Sequence, residues 1–167
     1  MNIEVRSLLR GAGDTRSFGR RLGALALPGD WVALTGDLGT GKTTLVAGIV
    51  DAVHPGMRAR SPTYVRVEVY GEAPAIVHVD LYRLQAPGEW DTLGIEDLAE
   101  RGAIVLVEWA DRAPDRLPEG RLDLSLRYSG EAAREIRIQA RGERWLTLLK
   151  EGKLDREYWS DALYPRD

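Results

Sequence analysis

At 167 residues, with 44% apolar and 29% charged side chains, the chain has the composition of a soluble globular protein and the length to bury roughly 70% of its unfolded surface. The absence of cysteine excludes disulfides, thiol nucleophiles and zinc–thiolate sites. A net charge of −3 without a long basic run gives no sign of DNA binding, and no apolar run is long enough to span a membrane. Met1-Asn2-Ile3-Glu4 has neither a charged leader nor an apolar one, so a cytoplasmic location is expected.

In chain order, residues 2–9 read as a strand that Gly11-Ala12-Gly13-Asp14 breaks. A helix is expected from Thr15 to about Leu27, with Phe18, Leu22 and Leu25 on one face and Asp14 or Thr15 as its N-cap. Pro28-Gly29-Asp30 turns the chain into Trp31–Thr35, which reads as a buried strand. There follow Gly36-Asp37-Leu38-Gly39-Thr40-Gly41-Lys42-Thr43 and a helix from Thr44 to about Val53, ending before Pro55-Gly56. Strand, glycine loop and helix in this order form a phosphate-binding P-loop. The glycines let successive N–H groups face one anion, and the helix start adds its positive dipole end. Lys42 would reach the β- and γ-phosphates, and the Thr43 hydroxyl would ligate Mg²⁺. Only three lysines stand beside twenty arginines, so a compact point charge at position 42 is a marked choice in this chain.

Residues 57–63 form a polar connection into Tyr64–Tyr70, whose strict alternation predicts Val65, Val67 and Val69 facing the core. Two near-continuous β-branched runs follow, Ala75–Asp80 and Ala103–Glu108, as a sheet covered on both faces requires. Between them lies a short helical segment over 87–101 with Trp90 and Leu93 inward. After the loop from Asp111 to Gly120, Leu122–Tyr128 and Arg134–Gln139 alternate and read as an antiparallel edge hairpin. Helices are expected near Glu143–Leu149 and Arg156–Leu163, with Trp145 and Trp159 in packing roles. The whole, residues 1–167, reads as one α/β domain: a P-loop NTPase-like three-layer fold with a mixed, mainly parallel central sheet and 141–167 as a C-terminal helical tail.

Each of the two apolar runs ends in an acid, Asp80 or Glu108, at the sheet edge where open α/β folds bind ligands. Spacing leaves open which one contacts Mg²⁺ and which orients the attacking water. Ser61-Pro62-Thr63 reads equally as a switch segment that senses the γ-phosphate, with Arg58 and Arg60 as phosphate partners, and as an ordinary loop leading into a strand. His78 shares the face of Asp80 and reads as a structural histidine more than a catalytic one. Trp109 suits packing, a base stack or a partner anchor.

Taken together, the P-loop through Thr44, Ser61-Pro62-Thr63-Tyr64, His78-Val79-Asp80-Leu81-Tyr82-Arg83-Leu84, Leu93-Gly94 and Glu108-Trp109 resemble the TsaE (YjeE) family of bacterial P-loop ATPases, over about Asp14 to Arg137. The resemblance implies an ATP- and Mg²⁺-dependent ATPase of tRNA threonylcarbamoyladenosine synthesis. It would bind the paired TsaB and TsaD proteins, which modify adenosine 37, and so would act on tRNA indirectly. Carried over by position, Gly39, Thr40, Gly41, Lys42, Thr43 and Thr44 hold the phosphates, and Thr43 with Glu108 ligate Mg²⁺. Asp80 lies at the nucleotide and is needed for turnover with Lys42 and Glu108, while Thr15 and Arg134 match positions near the adenosine. Thr40 replaces the family's usual Ala and Tyr64 a usual Phe, and the tail beyond residue 141 follows no family pattern. Two other readings share the loop: a small P-loop kinase, which needs a lid that the sequence lacks, and a nucleotide-dependent binding module without hydrolysis.

Overall fold

The computed structural model describes residues 3–62 and 66–154, and the two apolar runs form its middle. The strands are β1 (Ile3–Leu9), β2 (Trp31–Thr35), β3 (Val67–Tyr70), β4 (Ile76–Asp80), β5 (Ile104–Glu108), β6 (Leu122–Tyr128) and β7 (Arg134–Ala140). The helices are α1 (Ala12–Leu25), α2 (Lys42–Val53), α3 (Ile95–Glu100) and α4 (Glu143–Lys150), with 3₁₀ turns at Pro87–Thr92, Ala110–Arg112 and Pro114–Arg116. One seven-stranded sheet runs β1-β7-β6-β2-β5-β4-β3. The central pairs β6–β2, β2–β5 and β5–β4 are parallel. The hairpin β6–β7 makes an antiparallel margin, with β1 added outside it and β3 closing the other side.

Every residue of β4 and β5 is buried, which is why both sequences are apolar without alternation. On one face Ile76, Ile104, Leu106 and Leu124 pack against Phe18 and Leu22 of α1, Leu45 and Ile49 of α2 and Trp145 of α4. On the other, Val77, Val79, Val105 and Val107 pack against Trp90 and Ile95. Helix, sheet and helix make three layers. No described helix is long and apolar enough to cross a membrane.

The α1–α2 contact is unusually close. A Cβ added at Gly19 would lie 2.1 Å from the Leu45 carbonyl oxygen, and one at Gly48 would lie 2.2 Å from that of Arg16. Only glycines allow this approach, which sets the start of α2 against the first turn of α1.

Two expectations are corrected. Helix α1 starts at Ala12 and ends at Leu25, with Gly11 as its N-cap in place of Asp14 or Thr15. Asp14 lies inside the first turn, where its carboxylate accepts from the Arg10 N–H (2.8 Å), and Leu27 has left the helix to donate its N–H to Asp30. The strand expected over Tyr64–Tyr70 begins at Val67, after Arg66 with φ 70°. Val67 packs half-buried against the Val77 and Val79 layer as expected, whereas Val69 is 48% exposed and the buried side chain is Tyr70, whose hydroxyl accepts from the Arg60 N–H. As an edge strand bonded only to β4, it is incompletely covered on the Val69 face, while Tyr70, paired with Ile76, turns to the face that α1 and α2 cover. Tyr64, Val65 and the helix expected near Arg156–Leu163, with Trp159, lie outside the described residues.

Candidate nucleotide-binding site

The loop between β2 and α2 is held open by its own bonds. Gly41, the residue before α2, has φ 106°, a conformation that favours glycine, and it leaves the first N–H groups of the helix facing outward. Thr40 is buried and donates its hydroxyl to the Asp37 carbonyl at 2.8 Å, so the departure from alanine adds a bond inside the loop. Lys42 donates to the carbonyls of Gly36 (2.6 Å) and Asp37 (2.9 Å), and its Nζ lies 4.2 Å from the centre of the Trp109 ring. Burial pulls its pKa below the ordinary lysine value, and the carboxylates of Glu108 and Asp80 act in the opposite direction.

The two acids arrive side by side because β4 and β5 are parallel and Asp80 is in register with Glu108. Both are nearly fully buried. Asp80 Oδ1 accepts from the Tyr82 N–H at 2.8 Å, and Oδ2 lies 3.4 Å from the Ser61 hydroxyl. Glu108 Oε1 accepts from the Thr43 hydroxyl at 2.8 Å, across 65 positions of sequence, and Oε2 lies 3.1 Å from His78 Nε2. These groups surround a cavity of about 240 Å³ lined by Gly39, Gly41, Lys42, Thr43, Thr44, Ser61, Asp80 and Glu108, with Leu38, Tyr82 and Trp109 as its apolar part.

The donor set fits Mg²⁺. Thr43 and Glu108 offer hard oxygen ligands at hydrogen-bond distance from each other, with Asp80 on the adjoining strand. Among the described residues no group of three or more acidic or histidine side chains forms a metal cage. Mg²⁺ needs none, because it keeps waters and shares one or two protein ligands with phosphate oxygens.

Thr15 is buried beside the loop. Its hydroxyl donates to the Gly11 carbonyl at 3.2 Å, and its methyl lies 3.4 Å from where a Cβ on Gly41 would stand. Arg134 lies across the loop's other side, with its guanidinium 4.3 Å over the Tyr128 ring and one N–H 3.4 Å from the Gly39 carbonyl. Thr15, Gly39 to Thr44, Asp80, Glu108 and Arg134 therefore lie together at the P-loop. Arg58 and Arg60 are exposed and do not line the cavity, and Thr63 lies outside the described residues.

Tyr128 was not foreseen as a neighbour of the site. Its hydroxyl donates to the Leu38 carbonyl at 2.6 Å. The clue needed was pairing: β6 runs parallel to β2, so its last residues end beside the loop that leaves β2. Trp109 adopts φ 57° directly after Glu108, with its ring 4.9 Å from that of Tyr82, and the Arg112 guanidinium lies over both rings. That conformation turns the indole toward Lys42.

Residues 9–136 match the sequence profile of TsaE, the threonylcarbamoyl adenosine biosynthesis protein. The chain is 39% identical over 140 residues to the tRNA threonylcarbamoyladenosine biosynthesis protein TsaE of Streptomyces coelicolor, covering 79% of this chain and 94% of that one. It is 41% identical over 130 residues to the TsaE protein of Mycobacterium leprae (70% and 80% covered) and 32% identical over 139 residues to that of Bacillus subtilis (83% and 87% covered). The crystal structure of Bacillus subtilis YdiB superposes with a TM-score of 0.75 at 28% identity, covering 90% of this chain and 95% of that one. The chain belongs to the TsaE family of threonylcarbamoyl adenosine biosynthesis proteins.

Proposed function

We propose that this chain is the ATP-hydrolysing component of tRNA threonylcarbamoyladenosine synthesis, binding Mg²⁺·ATP at the P-loop and acting on a TsaB–TsaD pair in the cytoplasm. The observation that carries the reading is the 2.8 Å contact between the Thr43 hydroxyl and Glu108 at the start of α2. A helix-start hydroxyl and a strand-end acid meeting beside a P-loop lysine is the arrangement that phosphoryl transfer uses.

The backbone N–H groups from Gly39 to Thr44 bind the phosphates. Lys42 exchanges the Gly36 and Asp37 carbonyls for phosphate oxygens, which makes shorter, charge-assisted bonds. Thr43 and Glu108 would hold Mg²⁺, which when bound would supply positive charge to offset that of the phosphates. Asp80, fixed by the Tyr82 N–H, orients a water in line with the γ-phosphorus. A bond forms between that water's oxygen and phosphorus as the bond to the ADP oxygen breaks, and the water's protons leave on the phosphate, giving ADP and inorganic phosphate. Thr15 and Arg134 flank the loop where the nucleoside would extend.

Turnover by the isolated chain is slow in this account. Arg112, beside the cavity's Tyr82 and Trp109, and Arg134, over Tyr128, are both stacked on rings. An arginine supplied by a partner raises such turnover about 10³–10⁵-fold. Contact with tRNA is indirect, in keeping with the net charge of −3.

The test follows the γ-phosphate of labelled ATP. Free phosphate released by the wild type, with release lost and nucleotide binding kept in Glu108→Ala, supports hydrolysis. Label on an acceptor hydroxyl would mean a kinase, and phosphate release unchanged by Glu108→Ala would leave only a binding module.

A further inference from the structure

We propose that His78 is a positioning residue that fixes the orientation of the Glu108 carboxylate, an inference that rests on the reading of Glu108 as a ligand of Mg²⁺. His78 stands in the middle of β4, between Val77 and Val79, and is completely buried. A buried imidazole has to give up water on both nitrogens, so an apolar residue would fill the same space at lower cost. Nδ1 has no hydrogen-bond partner among the described residues, and Nε2 has one, Glu108 Oε2 at 3.1 Å. The proton is assigned to Nε2, the nitrogen with an acceptor, so that the ring donates to the carboxylate.

The sheet register makes the contact specific. His78 is opposite Leu106 in β5, and Asp80 is opposite Glu108. Ile76 and Leu106 belong to the core under α1 and α2, so His78 and Glu108 face the same layer, toward the helix that carries Thr43. Glu108 is thus pinned at both oxygens, Oε2 by His78 and Oε1 by Thr43. Oε1 is aimed at the Thr43 hydroxyl by a bond that stays in place when that hydroxyl turns to the metal. Partners that orient metal ligands in this way typically change metal affinity by about 10–100-fold when removed.

Three substitutions separate this role from packing. His78→Phe keeps a ring and loses the donor, His78→Gln carries an amide N–H at the reach of Nε2, and His78→Asn carries one only at the reach of Nδ1. The measurement is calorimetric ADP affinity as a function of Mg²⁺ concentration, with a melting curve for each variant and a titration in EDTA. Expected is a Mg²⁺ midpoint raised about tenfold or more for His78→Phe and His78→Asn, near wild type for His78→Gln, with EDTA affinities equal throughout. A folded His78→Phe or His78→Asn with the wild-type midpoint overturns the proposal, and so does a folded His78→Gln as impaired as the other two. If His78→Phe does not fold, the Asn–Gln contrast decides, and if none of the three folds, His78 serves the core and the proposal fails. Wild-type protein whose ADP affinity ignores Mg²⁺, or a Glu108→Ala variant that keeps the full Mg²⁺ effect, would instead refute the underlying reading of Glu108.

Discussion

Gly48→Ala and Gly13→Ala are the same chemical change in two helices, and the structure predicts opposite outcomes. The new methyl at position 48 would lie 2.2 Å from the Arg16 carbonyl oxygen, 2.8 Å from the Arg20 nitrogen and 2.9 Å from the Gly19 Cα. A carbon–oxygen contact tolerates about 3.3 Å, so α1 must retreat by about 1 Å. All three obstacles are backbone, so no rotamer change relieves them. Overpacking of this kind costs about 1–3 kcal/mol, offset by about 1 kcal/mol of helix propensity, which leaves a net loss of about 2 kcal/mol at the upper end. At about 2–4 °C per kcal/mol for a chain of this size, that upper end lowers the melting temperature by about 4–8 °C. At position 13, in the exposed first turn of α1, nothing lies within 4 Å of the new methyl. There the propensity gain stands alone, about 0.5 kcal/mol, and the melting temperature rises slightly. Because α1 carries Thr15 against Gly41, the retreat should also weaken nucleotide binding in Gly48→Ala and leave it unchanged in Gly13→Ala. Melting curves followed by circular dichroism read the first effect, and calorimetry with ADP reads the second. Equal stabilities for the two variants would refute the close-packing argument.

Lys42→Ala removes a charge-assisted bond to phosphate worth about 1.5–3 kcal/mol, so ADP affinity should fall by about ten- to a hundredfold in calorimetry. Tyr128→Phe deletes an exposed bond to the Leu38 carbonyl and should cost about 0.5 kcal/mol of stability or less, while Arg134→Ala should weaken binding of ADP more than that of inorganic pyrophosphate, because Arg134 is assigned to the nucleoside side. The Arg20 guanidinium holds the Asp51 carboxyl below its ordinary value of 3.8. A carboxyl with a depressed folded pKa contributes its full stability above 3.8 and loses it as pH falls through the folded value. Acid unfolding below pH 3.8 should therefore be less steep in Arg20→Met, and identical curves would refute the role of this α1–α2 ion pair.

Much of the site was legible in the sequence because it rests on local chemistry. The P-loop glycines, Lys42 and Thr43 lie within eight consecutive residues, and the β-branched runs name their own strand ends at Asp80 and Glu108. The bounds of β2 and β6 and the ends of β4, β5 and α2 follow from the same local patterns. What stayed hidden depends on pairing. Tyr128 reaches Leu38 only because β6 lies against β2, and His78 meets Glu108 only through the β4–β5 register. The start of α1 was hidden for another reason: Gly11 and Gly13 look like breakers, yet one serves as the N-cap and the other sits in the exposed first turn, where its cost is small. The burial of Tyr70 follows from its pairing with Ile76 on the face under α1 and α2, which the alternation of its own strand does not reveal.

The central claim is that this chain hydrolyses ATP in the service of a partner complex, and it is tested most directly by phosphate release from ATP by the purified protein, alone and with purified TsaB–TsaD. The account predicts slow release alone, a large stimulation by the pair, and loss of that stimulation in Glu108→Ala with nucleotide binding retained. Fast turnover by the isolated chain, or a rate that TsaB–TsaD leaves unchanged, would contradict it.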